Sequence, residues 1–288
     1  MIRIGIVGSE NTHTAAIART INVEKKIRGC EVVCVWGETA AYAKKAAADG
    51  CIPRLVKRPE EMLGLVDAVV VDHRHAKYHL PAALPFVKRG LPVFVDKPFC
   101  YRAAEGRRFL KTARRHGAAV TTFSVLPHQR SFARFMRRLP QLGDVAAGVM
   151  YGPCDLRSKW GGVFFYGIHQ VDMALIAFGY DVSSVIVTKT ANGSTGQLVY
   201  PSGRVVTMNL IKAGGPGFAI GAAGDKGIWH QPVSMDKNPY LSGIRVFTTM
   251  FKTGREPLGD EQMLKPVLVL EALERSVKSG AREKVGRV

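Results

Sequence analysis

The sequence predicts an α/β protein. A doubly wound parallel sheet is expected over residues 1–121, followed by an α+β part with a large, mostly antiparallel sheet over 122–288. Three observations carry this. Through the first 120 residues, short apolar runs alternate with stretches of helical period, the pattern of a parallel sheet with crossover helices. After about residue 122 strand-like segments follow one another with turn signals between them. The chain has 288 residues and is 47% apolar, enough for two compact units with sizeable cores.

The elements follow in order. IRIGIV at 2–7 is a buried strand ending at Gly8, and a helix runs from about Thr14 to Ile21. EVVCV at 31–35 is the second strand, and the alanine-rich stretch Thr39 to Ala48 is a helix. A short helix at Glu60 to Leu65 precedes the β-branched run DAVVV at 67–71. Tyr78 to Arg89 is helical up to Gly90, and LPVFV at 91–95 is a strand. Tyr101 to His116 has helical spacing and stops at Gly117, and AAVTTF at 118–123 extends the sheet. The second half opens on a basic helix, Ser131 to Arg138, then DVAAGVMYG and a long helix over Val163 to Phe178. SSVIVTKT, TGQLVYP, RVVTMNLI and GFAIGAAG are strands, with a turn at Tyr200-Pro201-Ser202-Gly203. Tyr151–Trp160 and Trp229–Tyr240 are expected as substrate loops. Asp260 to Lys278 is a helix that Pro266 should kink or start.

Composition excludes several classes. No apolar run is long enough to span a bilayer, and the N-terminus lacks signal-peptide character; the expectation is a cytoplasmic protein. The five cysteines are scattered without a Cys-x-x-Cys pair, so neither a disulfide framework nor a zinc site is indicated. The net charge of +18 is partly concentrated between Gly106 and Gly143, which holds nine Lys or Arg and no acid. No nucleic-acid-binding motif accompanies it, so a solvated helix face is favoured over a nucleic-acid or anionic-surface site.

Two constellations carry chemistry. In VFVDKPFC (93–100) a buried strand ends on Asp96 and Lys97 before Pro98. A lysine there packs its stem and extends its head into a cleft; on spacing alone, a surface lysine is an equal reading. In GGVFFYGIHQVDMALIAFG (161–179), His169 and Asp172 lie three apart on one helix face. They can act as a proton-transfer group and its partner, or form a structural pair.

Together these motifs resemble the Gfo/Idh/MocA oxidoreductases. The resemblance rests on the element order, Asp96-Lys97-Pro98 (usually Glu-Lys-Pro), Gly167-x-His169-x-x-Asp172 and His79, and it spans nearly the whole chain. It implies a Rossmann domain followed by an α/β domain with an open sheet whose exposed face forms an oligomer interface, here a homodimer or homotetramer. It implies NAD or NADP lying over the first domain's strand ends. Lys97 would hold the reacting hydroxyl of a sugar, sugar derivative or cyclitol, His169 would be the general base, and Asp172 would orient it.

Three departures qualify the resemblance. The position one helical turn before His169, often Asp, is Phe165. The segment after the fourth strand is Asp72-His73-Arg74-His75-Ala76-Lys77-Tyr78-His79. This reads as a cationic pocket rim for an acidic substrate, in preference to a metal site; no metal is expected. The opening loop is Gly8-Ser9-Glu10-Asn11-Thr12-His13 where a dinucleotide fingerprint has Gly-x-Gly-x-x-Gly. Glu10 and His13 replace the second and third glycines. Ser9, Asn11, Thr12 and His13 could contact phosphate; Glu38 after the second strand could hold the ribose hydroxyls, favouring NAD, or be an ordinary helix-start carboxylate. With Asp72, His73, His79, Asp96, Lys97 and Pro98 these make up the expected cofactor site. The competing expectation is a non-redox or regulatory binding protein on the same fold.

Overall fold

The computed structural model describes residues 1–191, 193–212 and 217–288, and the chain forms two compact units. The first comprises 1–123 with 240–263 and the second 124–239 with 264–288. The division therefore differs from a single cut after residue 121, because a later segment returns to the first unit.

In the first unit, β1 (Ile2–Val7), β2 (Cys30–Trp36), β3 (Arg54–Leu55), β4 (Ala68–Val71), β5 (Val93–Val95) and β6 (Val120–Thr121) form one parallel sheet. Its order is β3-β2-β1-β4-β5-β6. β4 is buried along its whole length, as an interior parallel strand covered on both faces must be. The order reverses between β1 and β4, so the loops after these strands flank the crevice where such sheets bind ligands. The helices are α1 (Thr12–Ala18), α2 (Ala40–Gly50), α3 (His79–Val87) and α4 (Ala103–Arg115). The stretch at 60–65 is a tight turn of 3-10 type at Pro59–Met62, and β6 is shorter than 118–123.

The returning segment holds a helix that the sequence reading missed. We number it α7 (Leu241–Thr253), after α5 (Arg130–Arg138) and α6 (Val163–Phe178) in the second unit. Ile244, Phe247, Met250 and Phe251 form its apolar stripe and join Ile4, Ile6, Val32, Val35 and Phe94 in one core. Phe247 stacks on Phe94 with ring centroids 4.6 Å apart.

The second unit is built on seven strands in the order β12-β11-β7-β10-β9-β8-β13. These are β7 (Val145–Pro153), β8 (Ser184–Lys189), β9 (Gly193–Val199), β10 (Val205–Ile211), β11 (Phe218–Gly224), β12 (Gly227–Val233) and β13 (Glu283–Lys284). All neighbours are antiparallel except β10 with β7. β12 corrects the expected loop at 229–240, since Gly227–Val233 pairs with β11 along seven positions. Alternate residues of β7 and β10, among them Met150, Met208 and Leu210, are buried. On the opposite face Tyr151 (40% exposed) pairs with Asn209 and Ala219, and Ile228 (78% exposed) pairs with Ala223. One face of the sheet is thus packed and the other open.

α8 (Asp260–Ser279) is continuous, with Pro266 inside it. Asp260 and Glu261 in its first turn favour a start six residues before the proline. No helix among the described residues is long and apolar enough to cross a membrane. Part of the basic stretch is neutralised: Arg114 pairs with Glu256 and Asp260, and Arg130 with Asp236.

Candidate functional site

In the first unit the candidate residues gather at the ends of β1, β2, β4 and β5. Gly8 has φ +102°, and a Cβ there would lie 2.8 Å from the backbone of Asp72 and His73. Only glycine lets the β1 loop cross the end of β4 so closely. Past it, the Glu38 carboxylate reaches back from the end of β2. Its Oε2 accepts from the amides of Ser9 and Glu10, each at 2.9 Å. Glu38 therefore shapes the loop in which Glu10 and His13 replace glycines. Ser9 Oγ and Glu38 Oε1 are buried with no protein hydrogen-bond partner. Thr12 is exposed at the start of α1, and the Glu10 side chain is half-buried.

Behind this loop lies a cluster of buried polar groups. Asn11, the N-cap of α1, makes no side-chain cap. Its amide nitrogen donates instead to Asp72 Oδ1 at 3.0 Å and Asp96 Oδ2 at 3.2 Å. His13 Nδ1 lies 3.3 Å from Asp96 Oδ2 and 3.7 Å from Asp72 Oδ1, and its ring packs on Tyr240 at 5.1 Å. Lys97, 8% exposed, holds its Nζ 3.6 Å from Asp96 Oδ2.

The two aspartates differ in charge. Burial, then the charge of Asp96, pushes Asp72 well above the usual carboxylate range. Burial also acts against ionised Asp96, but Lys97 and then His13 outweigh it and hold Asp96 below that range. The hydrogen bonds agree. Thr14 Oγ1 lies 2.8 Å from Gly8 O and 2.5 Å from Asp72 Oδ2. One hydroxyl proton cannot serve two acceptors. Thr14 can serve only one of them at a time, and a proton on Asp72 Oδ2 would let both contacts be made. The Asp72–Asp96 pair thus carries one negative charge, balanced by Lys97.

The histidines after β4 do not converge on one point. His79 is fully buried, with Nδ1 2.9 Å from Pro98 O and Nε2 2.8 Å from His73 O. It ties the loop after β4 to the loop after β5, and burial pushes it down toward the neutral form. His75 Nδ1 accepts from the Lys77 amide at 3.2 Å. His73 is pushed down to about 3 by burial and then by His79; its ring packs against Trp36 and Tyr78, and its Nδ1 is buried without a partner. Among the described residues, the grouping with metal-ligand spacing is His13, Asp72 and Asp96, and the Asn11 amide already donates to both of its carboxylates.

These residues fit a dinucleotide. Gly8 gives close backbone approach, while Ser9 Oγ and Glu38 Oε1 offer unpartnered polar atoms to ribose hydroxyls. The raised Asp72 spares the crevice behind the loop a second negative charge beside Asp96.

In the second unit His169 (6% exposed) sits on α6, between the rings of Tyr166 at 5.6 Å and Phe218 at 5.4 Å. Its Nδ1 is 2.7 Å from Ser124 Oγ. Asp172, the expected orienting group, accepts the Ser124 amide at 2.9 Å. Both α6 side chains therefore meet Ser124. Phe165 packs against Trp160 and Tyr166. Ser124 and Thr14 were missed from the sequence; a lone hydroxyl residue carries no periodic or motif signal.

Residues 2–124 match the family model described as "Oxidoreductase family, NAD-binding Rossmann fold". This part of the chain is similar to the Gfo/Idh/MocA oxidoreductases. No curated protein matches the sequence. Solved structures share the fold over nearly the full length. A putative myo-inositol dehydrogenase from Sinorhizobium meliloti is 17% identical at TM-score 0.84, covering 99% of this chain and 100% of that one. Myo-inositol dehydrogenase from Lactobacillus casei, solved with NAD(H) and myo-inositol, is 14% identical at TM-score 0.85, covering 100% and 98%. An oxidoreductase from Agrobacterium radiobacter, solved with NAD+, L-tartaric acid and magnesium, is 15% identical at TM-score 0.82, covering 99% and 98%.

Proposed function

We propose that this chain is an NAD(H)-dependent oxidoreductase acting on a carbinol or keto carbon of a small polyol, sugar derivative or cyclitol, with acidic substrates admitted by its basic surface. The observation that carries the reading is Lys97, a buried ammonium at the end of β5 paired with ionised Asp96. Such a group can hold and polarise a reacting oxygen. Bound NAD(H) supplies the hydride chemistry. Lys97 binds the reacting oxygen, His169 exchanges the proton, and Asp172 helps hold the His169 environment through Ser124. NAD is favoured over NADP because Glu38 would repel a 2′-phosphate. The open face of the second-unit sheet supports a homodimer or homotetramer, and we place the protein in the cytoplasm.

The test is titration with NADH and NADPH, read by quenching of tryptophan fluorescence, with Trp36 beside the loop. NADH should bind more tightly; absence of binding at millimolar concentration would overturn the proposal. A second reading, a binding protein without turnover, is favoured by Phe165 in place of an acid. It requires ligand binding that Lys97→Ala leaves unchanged and no oxidation or reduction across a polyol panel.

A further inference from the structure

Ser124 is fully buried at the start of the second unit, and its hydrogen bonds restrict the chemistry of His169. Its Oγ makes two contacts among the described residues. The Leu126 amide, 3.2 Å away, can only donate to it. His169 Nδ1, 2.7 Å away, is the one partner able to accept the Ser124 proton. A buried hydroxyl that donates nowhere loses the free energy of an unmade hydrogen bond. The arrangement that satisfies both contacts of Ser124 Oγ has its O–H donating to Nδ1. Neutral His169 then carries its own proton on Nε2.

We propose that Ser124 is a positioning residue that fixes His169 in this tautomer, so that His169 meets its substrate as a hydrogen-bond donor. In that tautomer Nε2 can give its proton to a substrate carbonyl but has no lone pair to take one from a substrate hydroxyl, so the resting site is matched to the keto form of the substrate. A neutral histidine acting as base through Nε2 would need its proton on Nδ1, where the Ser124 hydroxyl already donates. The step from tautomer to keto substrate rests on the proposed redox function; the tautomer itself does not.

Phe165 is part of the same argument. A carboxylate one turn before His169 could accept from an imidazole N–H, whereas Phe165 offers no acceptor. Asp172 meets Ser124 through the backbone amide, which donates to its Oδ2. That contact uses main chain, so it survives replacement of the side chain.

The experiment is two-bond 15N–1H correlation NMR of the full-length, 15N-histidine-labelled protein at a pH where the imidazole is neutral. The His169 signals are assigned as those missing from His169→Gln. Nδ1 should show the shift of an unprotonated ring nitrogen and Nε2 that of a protonated one. Ser124→Ala should abolish this preference, and Ser124→Thr should retain it. A proton on Nδ1 in the wild type, or an unchanged tautomer in a folded Ser124→Ala, overturns the proposal. If Ser124→Ala does not fold, the wild-type and Ser124→Thr spectra decide it. The measurement needs neither cofactor nor substrate. The predicted tautomer without turnover would count against the redox function alone, and the opposite tautomer with turnover against this inference alone.

Discussion

Asp72→Asn and Asp96→Asn are similar substitutions in neighbouring buried carboxylates, and they should have opposite consequences. Asp72 is raised well above the usual carboxylate range, the state that lets it donate to Thr14 Oγ1 while it accepts from the Asn11 amide. Asparagine reproduces that pattern, with Nδ2 toward Thr14 and Oδ1 toward Asn11. It also removes the cost of keeping a carboxyl protonated at neutral pH, so Asp72→Asn should be neutral or stabilising, within about 1 kcal/mol. Asp96 is ionised beside Lys97 Nζ at 3.6 Å. At an effective dielectric of about 20 that separation corresponds to roughly 4–5 kcal/mol of attraction. Asp96→Asn leaves the Lys97 ammonium buried without its counter-charge and should cost about 3–5 kcal/mol. The signs with pH also differ. Asp72 is raised, so its contribution falls as pH rises above the unfolded value near 3.9. Asp96 is lowered, so its contribution is present above that value and is lost as pH falls through the folded one. Urea unfolding followed by far-UV circular dichroism at pH 7 separates the two. Equal losses, or a larger loss for Asp72→Asn, would refute the assignment of one proton to the pair.

Gly8→Ala places a Cβ against the Asp72–His73 backbone at φ +102°; it should cost at least about 2 kcal/mol and abolish NADH quenching. Phe247→Ala removes a 2%-exposed ring stacked on Phe94 and should destabilise the chain by about 3–5 kcal/mol in the same urea assay. His73 is pushed down to about 3, so its contribution is lost as pH falls below the unfolded value near 6.5. Between pH 6.5 and 5 the wild type should lose about 2 kcal/mol that His73→Gln does not. Glu38→Gln should narrow the difference between NADH and NADPH affinity in the fluorescence titration.

Much of the first unit was legible because its signals are local. β1, β4 and β5 are short apolar runs, and the strand-end position of Lys97 follows from VFVDKP alone. α6 was read with its bounds as found, since Gly162 and Gly179 bracket an uninterrupted helical stretch. α7 and β12 were not legible. The stripe on α7 is readable as a helix only once Phe94 is known to need a partner, and β12 begins with exposed residues that gain their strand character by pairing with β11.

The sequence by itself determined the parallel sheet, the crevice beside Gly8 and the residue types that carry chemistry, because strand periodicity, glycine and proline act over a few neighbours. Only the tertiary structure decided their states. Glu38 supports a loop 28 residues upstream, Asp72 keeps a proton that Asp96 gives up, and Ser124 determines which nitrogen of His169 is protonated. Each of these depends on burial and on a partner distant in the chain. Local sequence encodes neither, so GSENTH read as a modified cofactor loop, and only the fold supplied Glu38, Asp72 and Asp96 to hold it.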